Sequence, residues 1–99
     1  MNLDTSLFVR NLVTGTVSYL KEIDFDLTAK QENTLESSLM SELKKDFELQ
    51  RKTPTQIINT FLNEDLKLNI TLTPNDLGEQ ALEQIILWGI SKAKYLDGN

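Results

Sequence analysis

Apolar and small residues recur at helical spacing over residues 5–21. Phe8, Val9, Leu12, Val13, Thr16, Val17 and Leu20 fall on one side, and Arg10, Asn11, Thr14, Ser18 and Lys21 on the other. The pattern predicts an amphipathic helix with Asp4 as its N-cap. Gly15 sits near the apolar side, where a missing side chain lets another element approach closely. A hairpin turning at Thr14-Gly15 competes, with poorer alternation. The period then shortens to two. Ile23, Phe25 and Leu27 alternate with Glu22, Asp24 and Asp26, which predicts a half-buried strand over 22–27.

Thr28 with Gln31 three residues later reads as a capping box. It opens a predicted helix over about 29–50, where Leu35, Leu39, Leu43 and Phe47 step by four and Met40 widens the stripe. Lys44, Lys45, Arg51 and Lys52 gather at its end, where cations favour the helix dipole. Thr53-Pro54 restarts a helix with a cap and a proline at the first helical position, burying Ile57, Ile58, Phe61 and Leu62. Leu66, Leu68, Ile70 and Leu72 then alternate with Lys67, Asn69 and Thr71, the cleanest strand signal in the chain. Thr73-Pro74 starts a last helix, acidic at its front (Asp76, Glu79) and basic near its end (Lys92, Lys94). Residues 23–28 and 68–73 echo each other at an offset of 45 residues, each an alternating run that ends on a helix-capping threonine. The predicted architecture is therefore a single α+β domain over residues 1–99, mainly helical. Four helices and two short strands follow in the order α-β-α-α-β-α, with one small sheet on a helical layer.

Composition narrows the chemistry. The 99 residues carry 10 Lys and Arg against 15 Asp and Glu, a formal net charge of −5, with no His and no Cys. Ser-His-Asp and Cys-His catalysis, thiolate zinc sites and disulfides are therefore excluded. Carboxylates are left as almost the only candidate chemistry. No segment is basic, which disfavours unaided nucleic-acid binding. No basic start joined to a long apolar run marks a signal peptide. The longest apolar run, Ile85 to Trp88, is far below the ~20 residues of a membrane helix. The expectation is a soluble cytoplasmic protein without membrane, metal or cofactor. It is not expected to be an enzyme.

Two constellations stand out. Glu22, Asp24 and Asp26 would share one strand face, either as a solvated surface or as a divalent-metal or acid-base site. The stretch from Leu82 to Ile90 is apolar nearly all round: Leu82, Ile86 and Trp88 belong to the inward stripe, while Leu87 and Ile90 spill onto the opposite side. Such a helix is buried or lies in an interface. It is either a central core helix or one whose residues Leu82, Ile86, Leu87, Trp88 and Ile90 complete a self-association or partner surface. Two strands alone would also leave unpaired edges that invite another chain. A homodimer is therefore expected, or a partner protein, and the acids Glu22, Asp24, Asp26, Glu79 and Glu83 would steer the chain towards a basic one. The leading functional expectation is a small acidic interaction or regulatory module of the inhibitor or adaptor type.

The segment Lys52 to Asn63 resembles the second helix of ribbon-helix-helix proteins, above all their antitoxin branch, at Thr53, Thr55, Ile58, Asn59, Phe61 and Leu62. With the strand at 22–27 upstream, the resemblance covers residues 22–63. It implies an intertwined dimer whose paired strands read the DNA major groove, with a C-terminal segment that binds a toxin: an antitoxin-like transcriptional regulator. Leu72 to Leu77 and Gly89 to Lys92 echo turns of the same family, which would imply an intrachain pseudo-dimer. The chain departs from the pattern in its extra first helix, its longer 29–50 helix, and the acids Glu22, Asp24 and Asp26 at the positions that would face phosphates.

Overall fold

The computed structural model describes residues 3–98. Four helices account for most of it: α1 (Thr5–Glu22), α2 (Ala29–Leu43), α3 (Pro54–Thr60) and α4 (Glu79–Leu96). Short turns link them: a 3-10 turn at Phe47–Leu49, a wide π turn at Phe61–Asp65 that continues α3, and a 3-10 turn at Pro74–Leu77. α1 is the hub. It packs against α2, α4 and the Pro74–Leu77 turn, while α2 also holds α3. The core joins Phe8, Leu12 and Leu20 of α1 to Leu35, Leu39 and Leu43 of α2, Ile58 and Leu62 of the α3 region, and Leu72, Leu77, Ala81 and Trp88.

Helix starts follow local chemistry. The Asp4 carboxylate accepts the Ser6 and Leu7 amides at 3.0 and 3.3 Å. Thr28 with Gln31, and Thr53 with Gln56, close full capping boxes, and Pro54 occupies the first turn. Gly15 is in contact with another element as its position suggests: a Cβ there would stand 2.2 Å from the Leu77 carbonyl oxygen.

The fold is all-helical, and among the described residues there is no strand and no sheet. The expected α+β architecture is therefore corrected at both alternating runs. In the first, Asp24 has φ +61 and closes the end of α1. The Phe25 amide donates to Leu20 O at 2.9 Å and the Asp24 amide to Lys21 O at 3.0 Å, the paired bonds of a left-handed helix terminus. Residues 22–27 are thus the stop of α1 and a short link, so Glu22, Asp24 and Asp26 do not share a strand face.

In the second run, burial alternates as expected, with Leu66, Leu68 and Ile70 half-buried, Leu72 buried, and Lys67, Asn69 and Thr71 exposed. The partner of the extended backbone is not a strand but two side chains of α3 and its π turn. Asn63 donates to Ile70 O and accepts the Ile70 amide, both at 2.7 Å. Asn59 donates to Leu72 O at 3.0 Å and accepts the Leu72 amide at 2.9 Å. Lys67 (φ +57) and Asn69 (φ +54) are left-handed, which breaks the run before Ile70.

Two helix boundaries also move. α2 ends at Leu43 rather than near residue 50, because Gln50 folds back and its Nε2 donates to Leu43 O (3.3 Å) and Lys45 O (2.9 Å), carbonyls that a longer helix would have used internally. Thr73-Pro74 opens only the 3-10 turn. Gly78, at φ +94, turns the chain before α4 begins. The echo at 45 residues survives in another form: left-handed Asp24 matches left-handed Asn69, and the Thr28–Gln31 box matches Thr73–Asp76.

Candidate functional site

α4 presents two sides. Its inward side carries Ala81 and Trp88, both buried. The Trp88 Nε1–H donates to Gln50 Oε1 at 3.0 Å, which leaves every polar atom of the Gln50 side chain bonded. The Lys92 ammonium donates to Gln50 O at 3.0 Å and lies 5.2 Å from the centre of the Trp88 ring. Further along, Tyr95 meets Phe47 edge-on with ring centres 5.6 Å apart, and its hydroxyl donates to Glu48 at 3.4 Å. The Glu48 carboxylate pushes the Tyr95 phenol up, aided by burial and Asp46. Asn11 of α1 donates to Gln84 at 2.8 Å.

The outward side is apolar without cover. Ile86 is 53% exposed and Ile90 48% exposed, one turn apart. Leu82 and Leu87 are half-buried beside them, and Leu96 is exposed at the far end. A Cβ added at Gly89 would meet nothing within 4 Å, so this side has room at its centre. The five residues read from sequence as one surface are therefore divided: Leu82, Ile86, Leu87 and Ile90 border solvent, and Trp88 serves the chain's own core.

The acids are brought together in part. Glu22 at the end of α1 and Glu79 at the start of α4 line one groove, together with Asp76 of the 3-10 turn. Glu83 is exposed one turn along α4, and Asp24 and Asp26 are exposed on the link. No three carboxylates among the described residues converge as a metal site.

Gln50, Glu42 and Asn63 carry structural duties that no sequence pattern marked. The Glu42 carboxylate bonds Lys45 Nζ at 3.0 Å and accepts the amides of Arg51 and Lys52, fixing the approach to α3. Burial pushes this carboxyl up, but the Lys45 ammonium and the two amides outweigh it and hold it down at about 2. The unfolded chain therefore binds a proton at Glu42 before the folded one does. The contribution is complete above pH 4.5, fades as pH falls towards 2, and is about 1–2 kcal/mol once solvent screening is allowed for. Urea titrations should show wild-type stability falling across that window more steeply than that of Glu42→Gln. Equal slopes would remove Glu42 from this role.

No family model, no curated protein and no solved structure matches the chain. No helix among the described residues is long and apolar enough to cross a membrane.

Proposed function

We propose that this chain is a non-enzymatic protein-binding module, regulatory in type, which offers the outward side of α4 to a basic, apolar-faced segment of another protein. The observation that carries this reading is the uncovered pair Ile86 and Ile90 on a helix whose other side is already committed to the core. The groove acids Glu22, Asp76 and Glu79, with Glu83, stand at the front of that same helix, so a partner seated along it would meet carboxylates at one end. Such an arrangement favours fast, salt-sensitive association with a cation-rich segment. The expected homodimer would use this face too, and light scattering separates the two cases.

The ribbon-helix-helix reading gains no observation in its favour. The strand on which it would read DNA is absent from the described residues, and Asn59, one of its matching positions, is engaged with Leu72.

The test is a double substitution, Ile86→Asp with Ile90→Asp. Stability should fall by no more than about 2–3 kcal/mol, because each side chain already has about half its surface in water and the variant should still fold. Proteins captured by the wild type at low salt and released at high salt should be missing from captures with the variant. Identical captures would refute the assignment of this face. A variant that unfolds would show that α4 needs this side for its own packing.

A further inference from the structure

The asparagine pair on α3 and its π turn does the work of a missing strand. Residues four apart on a helix lie about 6 Å apart along its axis, and residues two apart on extended backbone about 6.6 Å. Asn59 and Asn63 therefore meet Leu72 and Ile70 in register. Each amide side chain both donates and accepts, as a residue of a neighbouring strand would. What they hold is a β-competent run, Ile70-Thr71-Leu72-Thr73, three of its four residues β-branched.

The run has a second edge. On extended backbone the amide and carbonyl of Thr71 point away from those of Ile70 and Leu72. Among the described residues neither group of Thr71 has a hydrogen-bond partner, and Thr71 is exposed. Left-handed Asn69 and Pro74 bound this open edge to a few residues. A short edge stopped by proline and by left-handed residues is how folded proteins discourage edge-to-edge pairing.

We propose that Asn59 and Asn63 form a surrogate strand whose task is to keep the Leu66–Thr73 segment from pairing with the same segment of a second copy. While the asparagines hold Ile70 and Leu72, Thr71 is the one extended residue left open, because exposed Lys67 and Asn69 are left-handed and cannot continue an edge, and that is too little for a stable pairing. Without them, Ile70 and Leu72 are freed as well, so the run from Ile70 to Leu72 has both edges open. The bond from the Leu68 amide to Leu62 O still holds the stretch before it. Once that bond opens, Lys67 and Asn69 can relax from their left-handed conformations and lengthen the strand. The latent partner is a second copy of this chain, in an antiparallel arrangement about Thr71.

The test replaces both asparagines, Asn59→Ala with Asn63→Ala. Light scattering should show association that grows with protein concentration, accompanied by an intermolecular β signal in the infrared amide band. Thr71→Pro removes the outward donor while leaving the inward bonds of Ile70 and Leu72 in place. Added to the double variant it should abolish both signals. A double variant that stays monomeric overturns the proposal. So does one that associates without a β signal, or whose association ignores Thr71→Pro. A merely structural role for the asparagines would lower stability without creating that signal. Hydrogen exchange on the unaltered protein decides independently of whether the variant folds. The Ile70 and Leu72 amides should exchange at least tenfold more slowly than that of Thr71, and equal rates would overturn the surrogate strand.

Discussion

Trp88→Ala should destabilise the protein by about 3–5 kcal/mol, the range for emptying a buried aromatic site. Three losses combine. The ring leaves a cavity among the core residues it packs with. Gln50 Oε1 loses its donor inside a buried site, and Lys92 loses the ring beneath its ammonium. Trp88→Phe separates these terms: it keeps most of the apolar volume and strands only the Gln50 carbonyl, so a smaller loss of about 1–3 kcal/mol is expected. Trp88 is the only tryptophan, so its removal also removes the fluorescence probe. Urea unfolding must then be followed by circular dichroism. A Trp88→Ala midpoint unchanged from wild type would contradict the core role of this side chain.

The second large effect is a pair of opposite signs at two glycines. In a helix interior, alanine is usually better than glycine by about 0.5–1 kcal/mol. Gly89→Ala should realise that gain, because its new Cβ meets open space. Gly15→Ala should reverse it. Its Cβ would stand 2.2 Å from Leu77 O and close to the Leu77 backbone carbons, atoms that cannot swing aside as a side chain could. Overpacking of this kind costs about 1–3 kcal/mol, enough to outweigh the gain in helix propensity. Midpoints that shift up for Gly89→Ala and down for Gly15→Ala are the expected result. An upward shift for both would mean that α1 and the Pro74–Leu77 turn are farther apart than the structure places them.

Three of the four α-helix starts were legible because caps are local; the start of α4 was not, since Thr73-Pro74 caps only a 3-10 turn and Gly78 precedes the helix without a side-chain cap. Asp4, Thr28 with Gln31, and Thr53-Pro54 act within four residues of themselves, and no distant contact overrules them. Helix ends were less legible. The step of four through Leu43 to Phe47 continues past the true end of α2, where the deciding group is the amide of Gln50, seven residues on from Leu43. The two alternating runs misled for a common reason. A two-residue period reports that one side of the chain is buried, and an extended link satisfies it as well as a strand does. What tells them apart is the source of hydrogen bonds. For Ile70 and Leu72 that source was visible only as two asparagines four residues apart, just upstream. Of the candidate surface, the apolar surplus of α4 was readable, but which side Trp88 would take was not. That depended on Gln50, far away in sequence.

The contact of Gly15 with Leu77 has a consequence for the order in which the molecule can be finished during synthesis. α1 is made before its neighbour at Gly15, and Leu77 emerges from the ribosome roughly sixty residues later, about 3–12 s at ordinary elongation rates. For that interval the nascent chain has α2 and then α3 to shelter Phe8, Val9 and Leu12, but not yet Trp88. Until then the side of α1 that Leu77, Ala81 and Trp88 cover in the finished fold stays uncovered. The last helix closes that side when it arrives.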